Sequence, residues 1–274
     1  MKVTVGIDIG GSTTKICGFC HDAPKTLLTP KLVRADDPVT SAYGAFGKFT
    51  VEHNLSLEDI DQVMMTGVGS SFASESLFGL PCQAVPEFSA VGLGGLYLSG
   101  LDEALVVSMG TGTAMVHAKK GEKSQHLGGT GVGGGTLAGL AKLLLNIDQI
   151  QHLSALAETG DLHHIDWRIG DAKAQDIGFP METTASNFGN VSDLLEKPDI
   201  AIGILNMVYE TIGMMAIFAA RSKGLNDIVL TGNLAELPYA KKVFPVLSDM
   251  FGVNFIIPEN AAFATVVGTA LSKT

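Results

Sequence analysis

The sequence predicts an α/β fold in which two similar lobes face a shared phosphate site. Apolar strands alternate with helical segments along the chain, an order typical of largely parallel sheets. A strand, a glycine turn with hydroxyl residues and a second strand occur at residues 3–18 and again at 104–118. One glycine hairpin would be weak evidence, but its repetition at the start of each half indicates duplicated lobes.

The composition of the chain excludes intrinsic disorder and limits the kinds of molecule that the protein is expected to bind. The chain has 274 residues, of which 46% are hydrophobic and 17% charged, so an intrinsically disordered protein is excluded. Its net charge of −10 argues against nucleic acid or an anionic membrane as a partner. An acidic chain still binds phosphates where backbone N–H groups and Mg²⁺ hold them locally.

The segments are expected to follow in this order. We predict strands over 2–10, 13–20, within 55–67 and 104–118, and over 227–233 and 254–258. We predict helices over 39–53, 70–79 and 84–100, after the glycine run within 126–146, and over 200–223, 238–252 and 260–273, with short helical pieces in 147–195. The N-terminal lobe is assigned to 1–102 and the C-terminal lobe to 103–274, with the final helix (260–274) able to pack back on the first lobe.

The apolar stretch 201–220 is long enough to cross a bilayer. Asn206, Glu210 and Thr211 interrupt its centre, and strong basic flanks are missing on both sides. We therefore expect a helix buried in a lobe core or in a dimer interface. The protein is expected to be soluble and cytoplasmic, without a membrane partner.

The first glycine turn is a candidate phosphate and metal site. Its residues are Gly10, Gly11, Ser12 and Thr13, with Asp8 before them and Lys15 after them. Glycines expose successive N–H groups to phosphate oxygens, and a carboxylate at the strand end suits Mg²⁺. The alternative is a plain hairpin turn with a surface aspartate. The repeat of the unit favours the functional interpretation.

Three further glycine segments are candidate nucleotide contacts. The second turn, Gly110–Gly112, follows Ser108, where related architectures place an acidic or amide residue. This difference argues against metal binding by the second turn, but its backbone N–H groups could still bind phosphate. The run at 128–135 enters a helix and lacks the lysine of a Walker motif. A late turn could lie beside a nucleoside. The candidate residues are Gly110, Thr111 and Gly112, then Gly131, Gly133, Gly134 and Gly135, and last Gly232 and Asn233.

Glu87 and the cysteines each allow two interpretations. A carboxylate at the start of a helix could accept the proton of an alcohol, or could simply be favoured there by the helix dipole. From the residues alone the second interpretation is preferred for Glu87. Cys17 and Cys20 form a C-x-x-C, but they lie in a β-rich run without a second pair, so ordinary strand cysteines are favoured.

Over nearly its whole length the chain resembles type II pantothenate kinases of the actin-like ATPase superfamily. The resemblance is carried by GIDIGGSTTK (6–15), VPEFSAVGLG (85–94), SMGTGTAMV (108–116), HLGGTGVGGGTLAGL (126–140), TTASNFGN (183–190), LTGN (230–233) and PENAAFATVVGTAL (258–271). The glutamate segment, the long glycine loop and ASNFGN are the specific ones. The resemblance implies two actin-like (ribonuclease H-like) lobes with a nucleotide cleft between them.

The resemblance also implies an activity. The family transfers the γ-phosphate of ATP to the 4′-hydroxyl of pantothenate, the first step toward coenzyme A. Glu87 then matches the general base, Asp8 and the glycine turns match the Mg²⁺ and ATP site, and Thr111 and His126 are candidate acceptor contacts. A homodimer with a long central helix is implied as well.

One departure from the family keeps alternatives open. Family members usually carry arginine where this chain has His126, and histidine is shorter and only partly charged near neutral pH. A related hydroxy acid or a pantetheine-like acceptor is therefore an alternative substrate. The rival classes are an iron–sulfur activator ATPase of the 2-hydroxyacyl-CoA dehydratase type, a non-catalytic nucleotide sensor and a sugar kinase.

Overall fold

Two mixed sheets form the framework of the molecule. The computed structural model describes residues 2–10, 13–22, 26–34, 37–67, 76–172 and 180–272. The first sheet has six strands in the order β3-β2-β1-β4-β6-β5. These are β1 (Val3–Ile9), β2 (Thr14–Cys20), β3 (Thr26–Val33), β4 (Ile60–Thr66), β5 (Ser76–Leu77) and β6 (Leu80–Ala84). The pairs β1–β4 and β4–β6 are parallel, whereas β2 pairs antiparallel with both β1 and β3.

The second sheet repeats this plan with five strands in the order β13-β12-β7-β8-β9. These are β7 (Glu103–Met109), β8 (Thr113–Lys119), β9 (Gln125–Thr130), β12 (Asp227–Thr231) and β13 (Asn254–Ile256). As in the first sheet, a three-stranded antiparallel unit precedes two parallel strands. A separate pair consists of β10 (Trp167–Arg168) and β11 (Thr184–Ser186). The two similar sequence segments, 3–18 and 104–118, thus begin two sheets with the same strand topology.

Seven α-helices cover the sheets in the described part of the chain. They are α1 (Pro38–Glu52), α2 (Glu87–Ser99), α3 (Gly134–Leu145), α4 (Ile150–Leu156), α5 (Lys197–Ser222), α6 (Ala240–Phe251) and α7 (Ala264–Leu271). Local sequence fixes several ends. Asp37 caps α1 by accepting the N–H of Thr40 at 2.6 Å, and Pro38 occupies the first turn. Gly100 and Gly252 end α2 and α6 in the left-handed conformation.

Two helices join the sheets. On the first sheet, Val266 and Ala270 of α7 pack against β1 and β2 where Gly6 has no side chain. On the second sheet, α2 packs against β7 and β8, and its Gly95 faces Val106. The two helices then contact each other at Gly94 and Gly268, where an added Cβ would overlap the backbone carbonyls of Ala264 and Ala90. The α2–α7 pair therefore sets how the sheets face each other.

Helix α5 is the centre of the second core. Thirteen of its residues are buried, and they pack with buried residues of β7, α3 and α6. By length and composition α5 is apolar enough to cross a membrane, yet 61% of its most apolar window is buried inside the molecule. This burial agrees with the core helix that the sequence predicts.

The structure corrects several predicted segments. Within the predicted helix 70–79, residues 70–75 lie outside the described residues, and Ser76–Leu77 form β5 instead of a helix. Leu80–Ala84 form β6, so α2 begins at Glu87 and not at residue 84. His126, Gly128 and Gly129 lie in strand β9, so the strand includes the start of the predicted glycine run. Strands β3, β9, β10 and β11 were not predicted. The remaining predicted strands and helices are confirmed within a few residues.

Candidate active site

A cavity of about 440 Å³ lies where the carboxyl ends of β1 and β7 approach each other. Ligands in open α/β sheets bind at such carboxyl ends, because loops and helix N-termini converge there. Eleven of the predicted site residues line the cavity. They are Asp8, Gly10, Thr13, Lys15, Glu87, Gly110, Thr111, Gly112, His126, Gly232 and Asn233. Gly131, Gly133, Gly134 and Gly135 are not among its lining residues, and Gly11 and Ser12 lie outside the described residues.

The first turn places Asp8 at the base of the cavity. The Gly10 N–H donates to the Thr13 carbonyl at 3.0 Å and closes the turn. Asp8 pairs across the antiparallel ladder with Lys15 and across the parallel ladder with Thr66. Next to Thr66, Gly67 has a φ of +87°, and a Cβ there would lie 2.8 Å from Asp8 Oδ1. The glycine is therefore needed for the carboxylate to occupy this position.

Burial raises the pKa of Asp8 to about 6, with the ammonium of Lys15 opposing the shift and the Glu87 carboxylate adding to it. An ionised carboxylate here is thus poorly solvated. A cation would relieve that cost. Ser108 and Thr111, which line the same cavity, carry hydroxyl oxygens, and Mg²⁺ prefers oxygen ligands. Asp8 therefore fits a magnesium ligand by its charge, its position and the chemistry of its neighbours.

Lys15 connects strand β2 to the segment that directly precedes α7. Its Nζ donates to the Ala262 carbonyl at 2.6 Å, and the Ala262 N–H donates to Glu236 Oε1 at 3.2 Å. Burial lowers the pKa of Lys15, while Asp8 and Glu236 favour its charged form. In this arrangement the ammonium is held by a backbone carbonyl at the edge of the cavity.

The second turn is built together with the glycine run. The Gly110 N–H donates to the Gly112 carbonyl at 2.9 Å. The first N–H groups of α3 then donate back to this turn, from Gly134 to the Gly110 carbonyl and from Gly135 to the Thr111 carbonyl, both at 2.8 Å. A Cβ at Gly133 would lie 2.7 Å from the Thr111 carbonyl oxygen. The glycine run thus positions the turn, and two of its N–H groups are already engaged.

Glu87 is the first residue of α2 and is exposed to the cavity. It follows Pro86, which fixes the backbone as the chain enters the helix. Free N–H groups of the first helical turn favour a carboxylate at this position. Because both glycine turns and Asp8 line the same cavity, the carboxylate faces the region where a phosphate would lie.

An aromatic pair forms the wall next to Glu87. The imidazole of His126 stacks on the ring of Phe88, with centroids 3.9 Å apart and ring planes inclined by 3°. Phe88 belongs to α2 and His126 to β9, so the pair joins the helix that carries Glu87 to the edge of the second sheet. Both rings line the cavity.

On the opposite side, Gly232 allows β12 to end close to β7. It has a φ of +88°, and a Cβ there would lie 2.5 Å from the Met109 carbonyl oxygen. Asn233 follows at the start of a 3₁₀ helix (Asn233–Glu236). This turn completes the cavity on the side of the second lobe.

Sequence reasoning missed several residues that line the cavity, among them Gly67, Phe88, Thr130 and Thr265. Gly67 had a usable signal, since a glycine directly after a strand often marks a positive φ. Phe88 had none, because an aromatic residue in the first turn of a helix is ordinary. Its role becomes visible when the fold brings β9 to α2.

A larger cavity of about 570 Å³ lies elsewhere, between α5 and α6. Its walls are mainly apolar, and neither glycine turn lines it. A polar network borders it, in which the buried Asp166 accepts from the Phe188 N–H at 2.8 Å and from Asn206 Nδ2 at 2.8 Å. This network fixes the 183–190 segment on α5. The smaller cavity is the candidate active site, because both glycine turns and the carboxylates of Asp8 and Glu87 meet there.

The cysteines do not converge. Cys17 and Cys20 are both buried in β2, and their spacing places them on opposite faces of the sheet. The Cys17 thiol donates to the Val266 carbonyl at 3.3 Å, and burial raises its pKa strongly. Within the described residues no group of three His, Cys, Asp or Glu side chains could hold a metal ion.

Comparison with known proteins places the chain in a family. The sequence profile of the Fumble family matches residues 103–243, more than half of the chain. The chain belongs to the Fumble family. Type II pantothenate kinases of Staphylococcus aureus strains USA300 and NCTC 8325 / PS 47 are each 29% identical to it over 276 residues, which covers 96% of this chain and 97% of theirs. These relationships support an ATP-dependent phosphotransferase.

Solved structures confirm the two-lobed α/β fold that the sequence predicts. The (R)-2-hydroxyglutaryl-CoA dehydratase component A of Acidaminococcus fermentans has a TM-score of 0.71 at 18% identity and covers 99% of this chain and 97% of its own. The activator of the 2-hydroxyisocaproyl-CoA dehydratase from Clostridium difficile, solved with bound ADPNP, has a TM-score of 0.68 at 15% identity and covers 98% and 93%. At these identities the likeness concerns the fold alone.

Proposed function

We propose that this Fumble family protein is a pantothenate kinase that transfers the γ-phosphate of ATP to the 4′-hydroxyl of pantothenate. The observation that carries the proposal is the meeting of Glu87, Asp8 and both glycine turns at one cavity. The relatives named type II pantothenate kinase align over nearly the full length of the chain. We further propose that the protein acts as a cytoplasmic homodimer.

The proposed step is a direct transfer. The acceptor hydroxyl oxygen forms a bond to the γ-phosphorus while the bond from that phosphorus to the β,γ-bridging oxygen breaks, which releases ADP. Glu87 accepts the hydroxyl proton. The turns at Gly10–Thr13 and Gly110–Gly112 position the phosphates through backbone N–H groups.

Mg²⁺ is the cofactor that this step requires, because it neutralises charge on the triphosphate. Asp8 is the residue that would hold it. The carboxylate, which burial leaves poorly solvated, would gain a counter-charge from the ion, and strand β1 holds it beside the first turn. Lys15 then balances the remaining negative charge at the base of the cavity.

The activator-ATPase alternative is not favoured by the cysteines. A cluster held between two subunits needs thiolates at an exposed surface, whereas Cys17 and Cys20 are buried on opposite faces of one strand. Iron content and visible absorbance of anaerobically purified protein would support that alternative if both were found.

The test is phosphorylation of pantothenate by purified protein with MgATP, detected by mass. Substitution Glu87→Gln keeps the shape of the side chain but removes the base, so turnover should fall by at least about a hundredfold with nucleotide binding retained. Glu122→Gln, on the exposed β8–β9 turn, is the matched control and should keep full activity. Unchanged turnover in Glu87→Gln would reject the assigned base, and no product with any hydroxy acid would reject the kinase.

A further inference from the structure

The peptide between Ala261 and Ala262 is held on both sides by one short turn. Its carbonyl accepts from the Gly232 N–H at 3.0 Å, and its N–H donates to Glu236 Oε1 at 3.2 Å. Gly232 and Glu236 belong to the same turn, which leads from β12 into the 3₁₀ helix Asn233–Glu236. Because both polar groups of the peptide are bonded to this turn, the turn fixes the orientation of the peptide.

The next carbonyl along the chain, that of Ala262, binds the ammonium of Lys15. Lys15 Nζ donates to it at 2.6 Å, although 247 positions separate the two residues in sequence. Lys15 is only 8% exposed and lines the candidate active site together with Asp8, its partner across the β1–β2 ladder. A long side chain loses much rotational freedom when it is buried, so its position depends on the groups that bind it. The placement of the Ala262 carbonyl therefore helps to place the ammonium.

Glu236 is not among the residues that line the candidate active site. Its side chain borders a separate cavity of about 590 Å³, which it shares with Lys241 of α6 and with Glu259 and Asn260 of the segment that leads to α7. A residue in this place can affect the candidate active site only through the groups that it binds. The bonded chain from Glu236 through Ala262 to Lys15 is such a connection.

We propose that Glu236 is a positioning residue for phosphoryl transfer. It holds the Ala261–Ala262 peptide, which places the Ala262 carbonyl for Lys15 and so fixes the ammonium in the candidate active site. The inference rests on the proposed kinase function and deepens it, because an ammonium that is already in place offers its charge to the phosphates without further reorganisation. In this role Glu236 contacts neither the nucleotide nor the acceptor, and it acts through Lys15.

The experiment is a double-mutant cycle on the affinity for a non-hydrolysable ATP analogue with Mg²⁺, measured by calorimetry. Glu236→Ala removes the acceptor of the Ala262 N–H and should weaken binding about tenfold, the size of one lost hydrogen bond. Glu236→Gln keeps an oxygen acceptor at the same reach and should stay within about threefold of the wild type. In a Lys15→Met background, Glu236→Ala should have no further effect, because the residue through which it acts is already gone.

Hydrogen exchange of the nucleotide-free protein, followed by NMR, tests the contact itself. The Ala262 N–H should exchange at least about tenfold faster in Glu236→Ala than in the wild type, because it loses its acceptor. Glu259→Gln is the matched control, since Glu259 is an acidic residue that borders the same cavity as Glu236. This variant should change neither the exchange of the Ala262 N–H nor the affinity for the analogue.

The outcomes separate this inference from the proposed function. Wild-type affinity in Glu236→Ala, or equal weakening by Glu236→Ala with and without Lys15, overturns the role of Glu236 and leaves the kinase intact. A Glu236→Gln variant that binds as weakly as Glu236→Ala also overturns it, and this comparison decides alone if Lys15→Met does not fold. If the cycle gives the expected result but pantothenate is not phosphorylated, the proposed substrate is rejected and the positioning of Lys15 by Glu236 stands.

Discussion

At the scale of single residues, Asp8 shows a conflict between stability and binding. Its carboxylate lies where the proposed reaction would place a phosphate-bound cation, yet without that cation the charge is costly to bury. The pKa of about 6 expresses this cost. Functional sites commonly hold such groups, because the rest of the fold is stable enough to tolerate them.

The first prediction concerns this cost in protein free of nucleotide. A carboxyl with a folded pKa near 6 and an ordinary value of 3.8 stabilises the folded state fully below pH ~3.8 and loses that stabilisation as the pH rises through ~6. Asp8→Asn removes the titration. The variant should therefore become more stable relative to the wild type between about pH 4 and pH 7, by up to about 3 kcal/mol.

Urea unfolding of both proteins across this pH range measures the difference directly. MgATP should stabilise the wild type and not Asp8→Asn, as followed by thermal unfolding, because the proposed metal ligand is lost. A stability difference that stays constant with pH would show that the Asp8 carboxyl is not desolvated. A variant that keeps its MgATP response would exclude Asp8 as the ligand.

At the scale of elements, the α2–α7 pair connects the two lobes, and glycines permit the contact. Gly94 of α2 approaches the Ala264 carbonyl, and Gly268 of α7 approaches the Ala90 carbonyl. Backbone atoms cannot move aside as a flexible side chain can. The same helix α2 begins with Glu87, so the packing of this pair also places the proposed base relative to the first turn.

The second prediction tests the close approach with matched glycine substitutions. Gly94→Ala should destabilise the protein by about 3 kcal/mol or more, because the new methyl group overlaps backbone. Gly44→Ala in α1 meets no atom within 4 Å and should stabilise by about 0.5–1 kcal/mol through helix propensity. Urea unfolding measures both. Equal effects of the two substitutions would show that the helices can separate without cost.

Elements also show what the sequence could predict and what it could not. The hairpins β1–β2 and β7–β8 were predictable because strand periodicity and glycine turns are local signals. Strand β3 contains Pro30 and lies at the edge of its sheet, the place where proline is tolerated. Strand β9 is rich in glycine and forms by pairing with β8. Neither strand has a local signature, since tertiary pairing stabilises both.

The candidate site likewise contains residues that local sequence predicts and contacts that only the fold reveals. Glycine turns and Asp8 could be located from local sequence, whereas the functional interpretation of Glu87 required the family resemblance. The stack of His126 on Phe88 joins residues 38 positions apart in sequence and depends on β9 being a strand. The hydrogen bonds from Gly134 and Gly135 to the second turn likewise depend on packing. The glycine motif had predicted these two residues as phosphate donors, because a motif cannot show that their N–H groups are already bonded.

At the scale of the whole molecule, the exposed apolar residues of the C-terminal lobe bear on the proposed homodimer. Leu143 and Leu144 of α3 are 81% and 51% exposed, and Phe218 of α5 is 61% exposed. Large apolar side chains left in water favour association, because each gains about 25 cal/mol for every Å² that a partner covers. Since α3 and α5 pack together, we expect a second copy of this chain to cover exposed apolar residues of these two helices.

The third prediction is that Phe218→Asp converts a dimer into a monomer. A charge at the centre of an apolar interface must lose its hydration, so association should weaken by at least about a hundredfold. Val51→Asp is the matched control, because Val51 is 77% exposed on α1 of the first lobe and should leave the dimer intact. Sedimentation equilibrium over a range of protein concentrations measures both. A monomeric wild type would reject the proposed dimer, whereas a dimeric Phe218→Asp variant would move the interface away from α5.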